Sequence, residues 1–291
     1  GAGSPSGPQP VRPTYRKAKT PMDEKLEALK RLLVSYGRVA VGYSGGVDST
    51  FLAVVCARCM PKDAVLVHLD TPFIGTPERS SFEREAERLG LPLLAITLDP
   101  LSDPDVAAND ADRCYRCKRA GFARIVDVAR EHGCPVVLDG SNADDAGDFR
   151  PGMRALAELG VRSPLMETGW RKSEERELLR AWGHPVWDMP AGACLATRIP
   201  CGEALTARKL EVVRACEDLL HDRGLRQVRA RLIGGALRVE AAPDELPALG
   251  DAVADGVELD GDLVAALLER GASAVDPVAV PYAHGGMNAA S

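Results

Sequence analysis

The chain has 291 residues, with 42 acidic and 36 basic side chains, so its formal net charge at pH 7 is −6. A chain of this length forms one large domain or two modest ones and buries a substantial core. The acidic balance lacks the basic footprint of non-specific nucleic-acid binding, so we expect no nucleic-acid partner. No run reaches the roughly 18 apolar residues of a membrane span, and no apolar segment follows the basic N-terminal residues. We therefore expect neither a membrane segment nor a signal peptide.

Eight cysteines in a chain of this length are too few for a disulfide scaffold. We therefore expect a cytoplasmic protein, in which clustered cysteines act as metal ligands or reagents. Four of the eight are expected to fill the core: Cys56, Cys59, Cys134 and Cys216.

The first 200 residues predict an α/β fold. Residues 1–20, rich in Gly, Pro and Ser, predict a disordered tail, and residues 22–36 carry leucines at helical spacing. Four short apolar runs are predicted strands: residues 38–43, 64–69, 93–98 and 135–138. Three helices are predicted between them, near residues 49–59, 78–89 and 117–132. Continuously apolar strands with long connections favour a doubly wound parallel sheet.

The pattern changes after residue 200. The predicted elements are a helix over 206–223, strands over 225–232 and 236–241, helices near 243–253 and 262–270, and a strand near 274–280. Because the regular alternation is lost, we predict a second, smaller α/β domain. The predicted boundaries are 21–200 for the first domain and 201–288 for the second.

The sharpest motif follows the first predicted strand, where residues 39–50 read VAVGYSGGVDST. Two glycines allow a tight turn that presents backbone N–H groups to an anion, and the helix N-terminus behind them adds partial positive charge. An aspartate here repels phosphate unless it binds magnesium or caps the helix. The candidate nucleotide-binding residues are Ser44, Gly45, Gly46, Val47, Asp48 and Ser49.

This SGGVDS stretch resembles the pyrophosphate loop of the N-type ATP pyrophosphatases, or PP-loop enzymes. The resemblance implies that ATP is held with Mg²⁺ and that the substrate attacks its α-phosphorus. The product would be an adenylated carboxylate, amide or ureido oxygen. No lysine follows the glycines, which argues against γ-phosphoryl transfer. The loop alone does not select one reaction of this superfamily.

Two cysteine motifs follow, RCYRCK at residues 113–118 and PAGACLATRIPCG at residues 190–202. They contain Cys114 and Cys117 in the first, and Cys194 and Cys201 in the second. A lone CxxC is compatible with a redox pair, half of a zinc site or two ligands of an iron–sulfur cluster.

The motifs taken together resemble the LarE-type sulfur transferases over residues 22–288. The residues that carry the resemblance are SGGVDS, RCYRCK, LDGSNADD at 138–145, DFRPG at 148–152, PAGACLATR at 190–198, VRAR at 228–231 and GMN at 286–288. The resemblance implies that ATP adenylates a carboxylate of pyridinium-3,5-biscarboxylic acid mononucleotide and that sulfur displaces AMP. The thiocarboxylate product serves the nickel-pincer cofactor of lactate racemase. A homo-oligomer is also implied, whereas the sulfide donor is not identified.

Two sulfur sources are known among these relatives. In one type, cysteines at the positions of Cys114, Cys117 and Cys194 hold a 4Fe-4S cluster whose free iron carries the transferred sulfide. In the other, the cysteine at the position of Cys194 gives up its own sulfur and becomes dehydroalanine. This chain has all three cysteines, which favours the cluster, with a structural or zinc role as a third alternative. Cys201 stands where the family commonly has tyrosine and is interpreted as an incidental variant; the alternative is a fourth ligand, which would block the free iron.

Three arginines are candidate substrate ligands. Arg229 and Arg231 flank Ala230, so strand geometry sends both to one face, where they would clamp a phosphate or carboxylate; the alternative is a solvated strand face. Arg198 would hold substrate or stabilise charge at the activated carboxyl; the alternative is a surface ion pair. The predicted catalytic residues are Cys194, Arg198 and Asp48.

Further polar residues follow the fourth predicted strand, at the edge where such sheets bind ligands. Asp139 and Gly140 are predicted to lie at the nucleotide and Asn142 at the substrate. Weaker candidates are Asp144, Asp148 and Arg150, and two acidic residues match family positions, Glu217 and Glu240.

Three other functions remain open. A tRNA thiolase of the same superfamily would require tRNA for ATP–pyrophosphate exchange, although the acidic charge argues against it. An ammonia-dependent synthetase would leave the CxxC without a purpose. A non-catalytic nucleotide sensor or iron–sulfur carrier would bind ATP yet release no pyrophosphate.

Overall fold

A computed structural model describes residues 19–145, 151–190 and 192–283. Three sets of predicted features lie outside these ranges: residues 1–18 of the predicted tail, the candidates Asp148 and Arg150, and the GMN ending.

The first sheet has four parallel strands in the order β3-β2-β1-β4. Its strands are β1 (Val39–Gly42), β2 (Ala64–Asp70), β3 (Leu93–Thr97) and β4 (Val136–Leu138). The helices of this half are α1 (Pro21–Ser35), α2 (Val47–Cys59), α3 (Thr76–Leu89), α4 (Pro104–Ala107), α5 (Arg113–Glu131), α6 (Pro151–Glu158), α7 (Pro164–Glu167) and α8 (Lys172–Ala181).

Alternate residues of β1 face opposite cores. Val39 and Val41 pack with α1, α2 and α8, whereas Ala40 packs with α5 on the other face. Both faces of the sheet are therefore covered, which is why its strands are continuously apolar. The predicted doubly wound parallel sheet is confirmed.

The second sheet has five strands in the order β5-β6-β9-β8-β7, mostly antiparallel, with a parallel β6–β9 pair. Its elements are α9 (Ala207–Asp222), β5 (Val228–Ile233), β6 (Ala236–Ala241), β7 (Gly250–Val253), β8 (Gly256–Leu259), α10 (Gly261–Glu269) and β9 (Val278–Pro281). Leu195, Ala196 and Ile199 pack in the core of this sheet, although the predicted boundary assigns them to the first domain. The two-domain division stays a prediction.

The helix predicted near 243–253 is wrong. A single 3₁₀ turn, Leu246–Ala248, is followed by β7 instead. Leu246 and Leu249 are buried at helical spacing, but Pro247 is the second residue of the turn and Gly250 has φ +150°, so no helix continues. In the described part of the chain, no helix is both long and apolar enough to cross a membrane.

Candidate active site

A cavity of about 530 Å³ opens at the carboxyl ends of β1 and β2, a volume suited to a nucleotide-sized ligand. We call it the central cavity. Its lining includes the phosphate loop and the three candidate sulfur residues, namely Ser44, Gly46, Val47, Asp48, Cys114, Cys117 and Cys194. The glycine turn and Cys194, which lie about 150 positions apart in sequence, thus share one cavity.

The phosphate loop is closed by its own serines. Ser44 Oγ lies 3.0 Å from Ser49 Oγ and accepts a hydrogen bond from the Gly46 N–H at 3.3 Å. Gly45 has φ +79°, and a Cβ there would lie 2.7 Å from Phe82 Cβ, so only glycine fits. Gly46 is the N-cap of α2, so Asp48 stands inside the first turn and is not the helix cap.

Asp48 is held by two side chains from later in the chain. Asn142 Nδ2 donates to Asp48 Oδ1 at 3.2 Å, and Lys172 Nζ lies 3.1 Å from Asp48 Oδ2. Lys172 also lines the central cavity, so α8 supplies the cation that the loop itself lacks. Asn142 is buried and supports Asp48 rather than forming part of the described cavity wall.

The Asp139–Gly140 turn packs behind the loop. A Cβ at Gly140 would lie 2.9 Å from the backbone nitrogen of Ser49, so this glycine allows the turn to approach α2. Asp139 is buried and accepts hydrogen bonds from the hydroxyls of Ser141 and Ser163, each at 2.5 Å. Asp139 and Gly140 therefore support the phosphate loop by packing against the start of α2. Their contact with the nucleotide stays a prediction.

Glu175, on α8, is fully buried beside Asp48. Burial raises its pKa to about 10, with the neighbouring Asp48 carboxylate adding to the effect, while Asn142 and Lys172 act in the opposite direction. A neutral carboxyl at this position leaves the negative charge of the pair on Asp48.

The CxxC motif lies at the start of α5. The helix begins at Arg113, earlier than predicted, so Cys114 and Cys117 lie three residues apart on one helical face. Burial and the neighbouring Cys194 and Cys114 raise the pKa of Cys117 to about 12. Cys194 is exposed towards the cavity, yet the surrounding protein desolvates its thiolate and raises its pKa. The charge of Arg113 acts in the opposite direction and lowers the pKa of Cys194.

The donor set suits an iron–sulfur cluster in kind and placement, because three thiols face one cavity. Within the described ranges, however, no group of three metal ligands is gathered at binding distance. Cys201 is exposed and is not part of the described wall of the central cavity. Cys56, Cys134 and Cys216 are buried, as predicted, and Cys59 is half-buried against the same core as Cys56.

Arg198 anchors the turn that carries Cys194. Its guanidinium forms a two-pronged ion pair with Glu217, Nε to Oε1 at 2.7 Å and Nη2 to Oε2 at 3.0 Å, with both residues buried. Nη1 donates to the carbonyl oxygens of Ala193 and Cys194 at 3.1 and 3.4 Å. The surface-pair alternative is therefore wrong. All three nitrogens have protein acceptors, so the geometry supports a positioning role, and substrate contact stays a prediction.

Arg229 and Arg231 are both buried on β5, so the solvated-face alternative is also wrong. Arg231 Nε lies 2.7 Å from Glu240 Oε1, and its Nη1 donates to the Thr197 carbonyl at 2.9 Å. Glu217 and Glu240 are thus both partners of the predicted arginines.

Arg229 and Arg198 line a recess of about 30 Å³, which shares Glu78 and Gly192 with the central cavity and has room for one or two water molecules. We call it the arginine recess. Burial and the like charge of Arg198 lower the pKa of Arg229, whereas Glu217, Tyr282 and Glu78 act to raise it. A bound anion would offset this unfavourable charge.

Four residues of the site had no assigned role from sequence: Arg113, Lys118, Lys172 and Glu175. Arg113 and Lys118 flank the CxxC, and that adjacency was the available signal. Lys172 and Glu175 lie on a helix that the periodicity did not predict, and only the fold brings them to Asp48.

The parallel sheet, the SGGVDS loop at the β1–α2 junction and the cavity beyond it define an ATP-using enzyme of the PP-loop class. No family model matches the chain. The chain is 33% identical to the pyridinium-3,5-bisthiocarboxylic acid mononucleotide synthase of Lactiplantibacillus plantarum, over 74% of this chain and 79% of that protein. It is 35% identical to an uncharacterised protein of Synechocystis, over 77% and 84% of the two chains. A glutamine-hydrolysing GMP synthase component of Methanopyrus kandleri is 28% identical over 69% and 68%.

The chain belongs to the LarE family of ATP-dependent sulfurtransferases.

Proposed function

We propose that this enzyme adenylates a carboxylate of pyridinium-3,5-biscarboxylic acid mononucleotide and replaces the AMP with sulfur. The name of the Lactiplantibacillus relative supports this acceptor. The single observation that carries the proposal is the shared cavity, in which the phosphate loop and Cys194 face the same volume.

The first step forms a bond between the substrate carboxylate oxygen and the α-phosphorus of ATP, and the bond to pyrophosphate breaks. The phosphate loop and the α2 N-terminus would hold the departing pyrophosphate. Lys172 would contact the phosphates once Mg²⁺ takes its place at Asp48, since a hard cation favours carboxylate and phosphate oxygens.

In the second step a sulfur nucleophile attacks the carbonyl carbon of the acyl adenylate, and AMP leaves with the bonding electron pair. With sulfide as the nucleophile, the product is directly the thiocarboxylate. Arg229 would contact an anionic group of the substrate, since the arginine recess that it lines adjoins the central cavity.

We propose a 4Fe-4S cluster on Cys114, Cys117 and Cys194, which would supply a bound sulfide. The presence of three thiols in one cavity supports it, and ligation would require the thiols to draw together. The alternative is a thioester with Cys194; loss of its Cα proton then breaks the Cβ–S bond and leaves dehydroalanine. We further propose a homo-oligomer with the smaller second domain at 201–288.

The deciding experiment measures ATP–pyrophosphate exchange with the pyridinium mononucleotide or tRNA as acceptor, and then thiocarboxylate by mass spectrometry. We expect exchange with the mononucleotide alone, retained in Cys194→Ser, and no thiocarboxylate from that variant. Cys201→Ser is the matched control and keeps both activities. Exchange that requires tRNA would establish the thiolase instead, and ATP binding without exchange would establish a non-catalytic protein.

The sulfur source is decided by anaerobic purification with iron and sulfide analysis. About four irons per chain with an intact Cys194 after turnover support the cluster. Loss of the mass of one H₂S from the peptide that carries Cys194 would establish sacrifice of this cysteine.

A further inference from the structure

We infer that Arg113 is a positioning residue that ties the segment carrying Cys194 to the start of α5, which carries Cys114 and Cys117, and places a positive charge in the cavity that the three cysteines line. The inference deepens the proposed function and rests on it, because it concerns the sulfur side of the same cavity.

One guanidinium touches both cysteine-bearing segments. Arg113 is the first residue of α5 and lines the central cavity, and its Nη2 donates to Cys114 Sγ at 3.2 Å. Its Nη1 donates to the carbonyl oxygen of Ala196 at 3.1 Å, two residues beyond Cys194. The forked shape of the guanidinium allows these two contacts at once, which an ammonium on a flexible stem does not reproduce.

Asn109 holds the Arg113 guanidinium in place through a hydrogen bond. Asn109 is buried, and its Oδ1 accepts a hydrogen bond from Arg113 Nη1 at 2.5 Å. Its Nδ2 donates to the carbonyl oxygens of Pro200 at 2.7 Å and Glu203 at 3.0 Å. Asn109 has φ +59°, a left-handed conformation that asparagine tolerates better than most residues. The Asn109–Arg113 pair therefore spans the gap between α5 and the segment that follows Cys194.

The charge of Arg113 acts on all three sulfurs. Arg113 lines the central cavity together with Cys114, Cys117 and Cys194. Three thiolates at one centre repel one another, so a single cation that faces all three favours their approach. Arg198 and Lys118 do not share this position, since Arg198 is paired with Glu217 and Lys118 Nζ lies 3.5 Å from Asp139.

The test uses arsenite, because As(III) binds three thiolates and reports how readily they gather without any cluster. Arsenite affinity is measured by calorimetry on reduced, metal-free protein. We expect Arg113→Gln to weaken arsenite binding about tenfold or more, since it removes charge-assisted contacts. Arg113→Lys should weaken it less, because the charge stays and the fork is lost. Arg116→Gln, at a half-buried arginine of the same helix that is paired with Asp110 at 2.7 Å, is the control with unchanged affinity.

A second readout is the reduction potential of the reconstituted cluster. Loss of a nearby positive charge destabilises the more negative reduced state, so Arg113→Gln should shift the potential downward, while Arg116→Gln should not. Circular dichroism melting shows whether Arg113→Gln is folded. If it is not, Arg113→Lys is compared with wild type instead.

Equal arsenite affinity in wild type and Arg113→Gln overturns the inference, as does wild-type protein that binds no arsenite at its three cysteines. Failure of the proposed function looks different. In that case the mononucleotide supports no exchange in wild type, while arsenite still separates Arg113→Gln from Arg116→Gln.

Discussion

The charge at Asp48 is set by a few side chains of α8 and the Asn142 turn. Lys172 lies 3.1 Å from one carboxylate oxygen of Asp48, and the neighbouring Asp48 carboxylate helps to raise the pKa of the buried Glu175. The proposed nucleotide would add several negative charges here, and both the Lys172 cation and a neutral Glu175 would limit the resulting repulsion.

Lys172→Met should weaken ATP binding by about tenfold, because it removes a cation from the phosphate region. The measurement is ATP affinity by calorimetry in the presence of Mg²⁺. Arg180→Met is the control, since this arginine of the same helix stacks on Trp187, with 4.8 Å to the ring centre. If Lys172→Met bound ATP as tightly as wild type, Lys172 would not contribute to nucleotide binding.

Glu175→Gln should make the protein more stable at neutral pH, and increasingly so as pH rises. The folded protein holds the Glu175 proton to about pH 10, whereas an unfolded glutamate releases it near pH 4.5. The folded state therefore binds more protons between these values, and the stability from this group falls as pH rises through that window. Glutamine has nearly the same shape as glutamate and does not titrate.

Urea unfolding of Glu175→Gln and wild type at several pH values checks this. A difference that stays constant with pH would show that Glu175 is ionised in the folded protein. Asp251→Asn, an exposed carboxylate on β7, is the control without such a slope.

Among the elements, the turn after β4 packs closely against the start of α2. Gly140→Ala places a methyl group 2.9 Å from the Ser49 nitrogen, where backbone has to move. We expect a loss of about 1–3 kcal/mol of stability and weaker ATP binding. Gly261→Ala is the control, because a Cβ there meets open space. Unfolding and ATP titration measure both, and an unchanged ATP affinity would mean that the loop tolerates the displacement.

The parallel sheet was predictable because its strands are short apolar runs separated by helices, and SGGVDS carries its own turn chemistry. The start of α5 was placed late because RCYRCK is polar and has no apolar periodicity, although Arg113 begins the helix. The segment near 243–253 was predicted to be a helix because two of its leucines lie at helical spacing. Leu246 begins a 3₁₀ turn and Leu249 follows it, so the spacing does not belong to a helix. Contacts such as Lys172 with Asp48 depend on tertiary packing, which no local pattern encodes.

Across the whole molecule, the Arg198–Glu217 ion pair joins the Cys194 turn to α9, and Glu217 also accepts a hydrogen bond from the Ala230 N–H of β5 at 3.0 Å. Arg198→Met leaves the Glu217 carboxylate buried without its partner, so we expect a loss of about 3–5 kcal/mol. The double variant Arg198→Met/Glu217→Leu should recover part of this loss, because no unpaired charge remains. Urea unfolding of wild type, Arg198→Met, Glu217→Leu and the double variant completes the double-mutant cycle. Strict additivity would show that the two side chains do not interact in solution.

The turn that presents Cys194 is fastened through its backbone. Its carbonyls accept from Arg198 and Arg231, and the Leu195 N–H donates to the Phe73 carbonyl at 2.8 Å. Among the described residues, none of these bonds uses the Cys194 sulfur. The reactive atom is therefore dispensable to the shape of its own support. A molecule that had lost this sulfur would keep these backbone bonds but could no longer form a thioester at this position, and its lower mass would reveal the difference.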